Sequence, residues 1–205
     1  MRTLPALATA LGVAIAAPLI AQQPMPIPGT ADASRVTAGT YTMDSAHTLI
    51  GWRVNHLGFN DYFGIFGNPT GTLTLDPANP AAAKLSVQVP ISGLVVASDK
   101  LSEHLMSGDF FNAATHPTAS FVSTGVTVDG EDAQISGDLT LNGVTKPVTI
   151  SARFTGAGAN PMSKAETIGF EGKTVIKRSD FGISNGVPAV SDEVALGITA
   201  AFEKR

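Results

Sequence analysis

Apolar and polar positions alternate with a period of two along most of this chain, most clearly in Tyr41–Gly67 (YTMDSAHTLIGWRVNHLGFNDYFGIFG). Thr48, Ile50, Trp52, Val54 and His56 share one parity, while Gly51, Arg53 and Asn55 hold the other with Leu49 as its single apolar member. Alternation over this length predicts a half-buried strand rather than a helix. Gly58, Asn60 and Asp61 mark a turn, and Phe63–Gly67 resumes the apolar run. The segment reads as two antiparallel strands that bring Trp52, Val54, Phe63 and Phe66 together, with His56 near the bend. A short strand, Tyr41–Asp44, precedes them across a turn at Ser45–Ala46.

The pattern recurs downstream. Gly71–Asp76 turns Leu73 and Leu75 inward, and Lys84–Ile91 turns Leu85, Val87, Val89 and Ile91 inward. Thr118–Val128 sets Phe121 and Ser123 on one face. Gln134–Leu141 keeps Ile135, Gly137, Leu139 and Leu141 in phase; Asn142-Gly143 is the strongest hairpin signal in the chain; Lys146–Phe154 answers with Val148, Ile150, Ala152 and Phe154. Thr155–Lys164 reads as a loose loop. Thr167–Lys177 aligns Ile168, Phe170, Gly172, Thr174 and Ile176, and Glu193–Phe202 aligns Val194, Leu196, Ile198, Ala200 and Phe202. Ser98–Gly108 differs: Leu101 and Leu105 stand four apart, Asp99 is placed to cap the start and Gly108 the end, which predicts a helix of one to three turns that needs packing to persist. About eight or nine strands with one apolar face each must close or stack to bury those faces. The fold class is therefore all-β and antiparallel with one short inserted helix, and an eight-stranded barrel and a two-sheet sandwich both fit the pattern.

Composition narrows the function. The 205 residues have one composition throughout, which predicts one domain large enough for a real core. A net charge of −4 without clustered Lys and Arg argues against nucleic acid and gives no basic surface for anionic lipid heads. Residues 1–21 read as a signal peptide, with Arg2 as the charged start, an apolar Leu4–Ile20 that is Pro-interrupted and too short and Ala-rich to span a membrane, and cleavage expected after Ala21. The protein is thus expected to be exported, without stable membrane insertion. Cysteine is absent, so the core alone must stabilise the fold in an oxidising compartment. Residues 22–39, rich in Pro, Ala and Gly, read as a flexible leader before a domain spanning 40–204.

Candidate chemistry is sparse. His47 and His56 have opposite parities, His104 falls on the helix and His116 precedes a proline, so no HxH, HExxH or other metal-ligating set forms. No GxSxG motif is present, and Asp44-Ser45-Ala46-His47 reads as a turn bonding its own backbone. No catalytic residue, metal or cofactor is expected. Arg178 and Asp180 read as a structural ion pair, with Asp44 as a further partner, closing one barrel end; a polar ligand head is the other reading for Arg178. Large inward residues alternate with Gly51, Gly71, Gly137, Ala152, Gly172 and Ala200, and these small residues either leave a channel or mark bulges and bends.

Five blocks, YTMDSAHTLIGWRVNH, FGIFG, DFFNAATHPTASFVS, GDLTLNGVTKPVTI and IKRSDFGI, occur in this order over Thr40–Lys204 and resemble the YceI-like family of lipocalin-like periplasmic proteins. The resemblance implies an antiparallel lipocalin-like barrel of about eight strands around a long apolar tunnel that holds a polyisoprenoid or another long-chain amphiphile. It alone implies homodimerisation. Thr48 stands where members often have Ser, and Trp52 where they often have Phe, a bulkier ring that shortens the tunnel. With the in-phase positions, the expected lining begins with Trp52, Val54, Phe66, Leu73, Val87 and Val89. It continues through Leu105, Phe110, Phe121, Leu139, Ile150 and Phe154, and ends with Phe170, Ile176, Phe181, Leu196 and Ile198. The tail is expected to enter between the Leu101–Phe111 segment and the strand ends. The expected function is that of a carrier; an enzyme acting on lipid and a module binding protein partners are the rivals.

Overall fold

The alternating segments form the strands of one antiparallel sheet in the computed structural model, which describes residues 26–205. They are β1 (Gly39–Met43), β2 (Leu49–His56), β3 (Asn60–Phe66), β4 (Thr70–Leu75), β5 (Lys84–Pro90) and β6 (Leu94–Val95), then β7 (Thr118–Asp129), β8 (Asp132–Leu141), β9 (Val144–Ala159), β10 (Glu166–Lys177) and β11 (Glu193–Lys204). One helix, α1 (Asp99–Met106), follows β6. Eight strands, in the order β1-β4-β5-β7-β8-β9-β10-β11, close on themselves through a β1–β11 pairing. The sandwich alternative is thereby excluded: the fold is an eight-stranded antiparallel barrel.

β1 and β2 pair in succession along β11, β1 at Met43↔Phe202 and β2 from Leu49↔Thr199 to Arg53↔Ala195. β3 pairs with β2 and β6 with β3, so these three strands widen the wall at the α1 end. The Asn142-Gly143 hairpin forms as the dipeptide predicts: both residues have positive φ, +50° and +75°, the geometry that matches the twist of the flanking strands.

Two bulges reset the side-chain phase. In β7 the register shifts between Ser123 and Gly125, so Phe121 faces inward before the shift and Val126 and Val128 after it. The Ser123 hydroxyl accepts the Leu85 N–H there at 2.8 Å. In β9, Phe154 opposes Phe170 and Gly156 opposes Gly169, leaving Thr155 as the extra residue. β9 then runs on to Ala159, so most of the expected Thr155–Lys164 loop is strand, with Ala157 buried.

The packed core lies at the end away from α1, where Tyr41, Met43, Leu73, Ala157, Ile168 and Phe202 bury one another with Val36. Phe170 links Phe154 and Phe202 edge to face at centroid distances of 5.8 and 6.2 Å.

Several expectations are corrected. Phe63 opposes Arg53 on the outer face and is 64% exposed, because it has the opposite parity to Phe66. Gly51 also faces outward, opposite Gly197. The helix is capped by Ser98, whose Oγ accepts the Leu101 N–H, and ends at Ser107, while Asp99 lies inside the first turn. Arg178 forms no ion pair with Asp180 or Asp44. The chain turns into a 3-10 helix at Arg178–Phe181, which ends the shared face, and Asp44 instead binds His47 at 2.6 Å. Within the expected flexible leader, residues 26–38 are bound to the barrel: Thr30 bridges Ala157 and Thr37 donates to Glu166. The expected signal peptide lies outside the described residues.

Candidate functional site

The inward faces of the strands enclose a cavity of about 890 Å³ lined almost entirely by apolar side chains. At about 30 Å³ per water-sized group it has room for roughly thirty non-hydrogen atoms, so the protein's own side chains do not fill the interior. β2 and β3 contribute Trp52, Val54 and Phe66; β4 and β5 contribute Leu73, Val87 and Val89. Phe121, Leu139, Ile150 and Phe154 line it from β7, β8 and β9, and Phe170, Ile176, Leu196 and Ile198 from β10 and β11. α1 and the turn after it supply Leu105 and Phe110. Phe181 is the expected lining residue that does not reach the cavity. It is buried where the 3-10 helix folds over the Asn142 hairpin, and its carbonyl accepts the Asn142 amide at 3.1 Å.

The positions of the small residues have two different causes. A Cβ on Gly137 would stand 2.4 Å from the Phe121 ring and one on Gly71 would stand 2.5 Å from the Ser86 carbonyl oxygen, so both mark close packing within the wall. Gly172 and Ala152 do line the cavity, and a Cβ on Gly172 would sit against Ile150 and Ile198 at 3.2 and 3.5 Å. Trp52 does not cross the tunnel. Its indole lies flat against Gly64 on β3, where a Cβ would stand 2.3 Å from the ring, and near Tyr62 at a centroid distance of 6.2 Å. Its buried indole N–H has no protein acceptor.

Polar residues sit at the two ends. His56, His104, Arg178 and Asn185 line the α1 end, and Glu131 and Asp132 the opposite end. Arg178 is 6% exposed and donates to four carbonyls: Ser191 at 2.9 Å from Nε, Ile183 at 3.0 Å and Asn185 at 2.7 Å from Nη1, and Val190 at 2.9 Å from Nη2. Burial pushes its pKa down, with the Asp192 charge opposing. The guanidinium thus ties the 178–192 segment into a rim. At the far end, Arg153 forks onto Asp132 at 2.9 and 2.7 Å and holds that carboxyl below its ordinary range.

Among the described residues no group of three or more His, Cys, Asp or Glu converges as a metal site. The histidines are dispersed: His47 is outside the barrel on Asp44, His104 stands 3.5 Å from Asp109, and His116 packs under Gly143. The arrangement is a mostly apolar enclosure with its charged side chains at the ends.

Several lining residues escaped the sequence reading. Ile50 shares the parity of Trp52, and Leu101 lies one turn before Leu105, so both were legible. Val126 and Val128 are reached only through the bulge, for which Gly125 is the sole local signal. Phe111, edge-on to Phe66 at 5.4 Å, is the neighbour of the expected Phe110, and at a turn no periodicity separates the two. Ala33 and Val36 come from the leader, where isolated small apolar residues carry no periodic signal.

Comparison with known proteins agrees with this architecture. Residues 41–202 match the YceI-like domain. Protein YceI of Escherichia coli is 40% identical over 169 residues, covering 82% of this chain and 88% of that protein. The crystal structure of BcnA from Burkholderia cenocepacia superposes with a TM-score of 0.70 at 24% identity, covering 78% of this chain and 98% of the other. A polyisoprenoid binding domain from Saccharophagus degradans, implicated in plant cell wall breakdown, superposes with a TM-score of 0.62 at 16% identity, covering 80% and 98%.

Proposed function

The chain belongs to the YceI-like family, and from that premise we propose that it is a periplasmic carrier of a polyisoprenoid or similar long-chain amphiphile. The observation that carries the reading is the apolar cavity whose lining extends from His56 and His104 at one end to Glu131 and Asp132 at the other. Such a lining suits a chain with a polar end and offers nothing that would hold a small polar substrate. Each buried methylene contributes about 0.8 kcal/mol. Ten of them give roughly 8 kcal/mol against association costs, so affinity needs no dedicated polar motif. The name of the Saccharophagus domain supports an isoprenoid as the class of ligand. The Arg2-initiated apolar segment supports export.

A second reading rests on the outer surface. Phe59, Phe63 and Val95 are exposed on the β2–β3 hairpin and β6, which suits a surface that binds protein. Native mass spectrometry of the mature protein taken from its own periplasm, followed by organic extraction, decides between them. The carrier reading expects a discrete adduct of lipid mass on a chain that has lost its first residues. An adduct-free protein that also refuses added prenyl and acyl chains overturns it in favour of the protein-binding role.

A further inference from the structure

Pro28–Ala38 lies outside the matched family domain, yet it is built into the cavity. Its path begins on the free edge of β9 beyond the start of β8, where Thr30 and Ala157 exchange backbone hydrogen bonds of 3.2 and 2.8 Å. The edge is cut to receive it. A Cβ on Gly158 would stand 2.1 Å from the Pro28 carbonyl oxygen, and one on Gly156 would stand 3.3 Å from the Thr30 nitrogen. A short 3-10 turn at Ala33–Arg35 follows, capped by Asp32 and braced by Arg35 on Thr30 and Pro28. The segment is then pinned on β10 and β11. Thr37 donates its N–H and hydroxyl to the Glu166 carboxylate at 2.8 and 2.6 Å, and Lys204 donates to the Ala38 carbonyl at 2.9 Å.

Two side chains of this strap reach the cavity. Val36 is 8% exposed, packed with Phe202, Ile168 and Met43 in the core cluster, and lines the cavity from beneath. Ala33 is exposed and lines the cavity at its rim. The strap is therefore the floor on the β9–β10–β11–β1 side, at the end opposite α1.

We infer that the strap sets the length of the chain this barrel accepts, with Val36 as the stop and Ala33 as part of the rim past which a longer tail must run. The inference rests on the carrier reading and adds to it a specificity element outside the family domain. Removing the Val36 side chain makes room for further methylenes, each worth about fourfold in affinity; enlarging Ala33 narrows the exit.

The test uses the full mature chain, a dansyl-labelled fatty acid as reporter, and competition by saturated fatty acids from lauric to behenic acid. Wild type is expected to show affinity that rises with length and then stops rising. Val36→Gly should move that limit to longer acids, with at least tenfold tighter binding of the acid two methylenes past the wild-type limit. Ala33→Phe, at an exposed position that does not endanger the fold, should move it to shorter acids and decides the matter if Val36→Gly fails to fold. A wild-type limit unmoved in the folded variants overturns the inference and leaves the carrier reading standing, as does affinity that rises without limit. If wild type binds none of the acids, the inference falls, and the carrier reading falls with it where added prenyl chains are refused as well.

Discussion

Ile150→Trp is the substitution that most directly tests whether the barrel interior is the binding route. Ile150 sits opposite Ile135 on β8, and its Cγ2 is the atom nearest to where a Cβ on Gly172 would stand. It lines the cavity between the polar ends, so an indole there projects into the lumen. Tryptophan carries six more side-chain atoms than isoleucine, about a fifth of the roughly thirty groups the cavity holds at about 30 Å³ each. The larger effect is the length of tunnel cut off behind the ring. Losing even five methylenes of tail burial costs about 4 kcal/mol, close to a thousandfold in Kd. The fold should survive, because the ring enters open volume rather than a packed core. The assay is displacement of a fluorescent acyl probe, paired with a thermal melt of each variant. Leu139→Trp should act the same way, while Val175→Trp, on the exposed outer face of β10, should change nothing. Wild-type affinity in a folded Ile150→Trp variant would refute the interior route.

Four further outcomes follow from the same geometry. Gly64→Ala places a methyl 2.3 Å from the Trp52 ring and should drive the indole into the tunnel, weakening binding about tenfold through one or two lost methylenes; adding Trp52→Phe should restore it, and a failure to restore would mean that the damage lies in β3 itself. Arg178→Met strips four carbonyls of their donor and should cost at least about 3 kcal/mol, read as a lower denaturant midpoint at an unchanged slope. Glu166 is partly desolvated, but hydrogen bonds from Thr37 and Tyr41 and the Lys204 charge outweigh this and lower its pKa below the ordinary 4.5; its contribution is present above that value and lost as pH falls below it, so Glu166→Gln should flatten the acid limb of a melting-temperature profile. Burial and the bond to Glu166 raise Tyr41 from 10.0 to about 12, so its contribution is present below pH 10.0 and lost towards 12, and a Tyr41→Phe variant should lack that alkaline loss.

The strands were legible because period-2 alternation survives wherever one face meets apolar surroundings and the other water. Lys84–Ile91, Gln134–Leu141 and Glu193–Phe202 keep phase without interruption, and their inward residues all fell where parity put them apart from Gly137, whose place the Phe121 ring takes. Phase broke at the two bulges. Gly125 and Gly156 permit an extra residue, but a glycine in a strand does not say whether the next apolar residue turns in or out. That is why Val126 and Ala157 were missed. Closure was illegible for a related reason: β1 and β2 share one neighbour, β11, and no local pattern records which distant strand completes the ring. Arg178 misled because a charged residue two positions from an aspartate suggests a pair along a strand, whereas the backbone leaves the strand at that residue and offers four carbonyls instead. The leader was misread on composition alone. Pro28, Gly29 and Ala33 look like linker, and the glycine that receives the first two, Gly158, lies about 130 residues away on β9.

The cavity itself argues for an occupant. Cavities opened by truncating core residues cost about 24 cal/mol per Å³. Extended to about 890 Å³, that scale gives roughly 20 kcal/mol, more than the about 5–15 kcal/mol by which a folded domain exceeds its unfolded chain. A chain that recovers even part of those contacts therefore stabilises the barrel strongly. Water is a poor candidate along the middle of the tunnel, because each buried water needs about three polar partners and Ile135, Ile150, Leu196 and Ile198 offer none. Collapse is resisted by the closed ladder of strand pairs, whose hydrogen bonds would have to break before opposite walls could meet. An apolar chain satisfies both constraints. It supplies dispersion contacts to the middle of the tunnel, leaves the ladder intact, and keeps its polar end among His56, His104 and Asn185 or beside Glu131. On the carrier reading proposed above, hollowness is the functional feature, and the packed cluster around Tyr41 and Phe202 braces the hollow barrel.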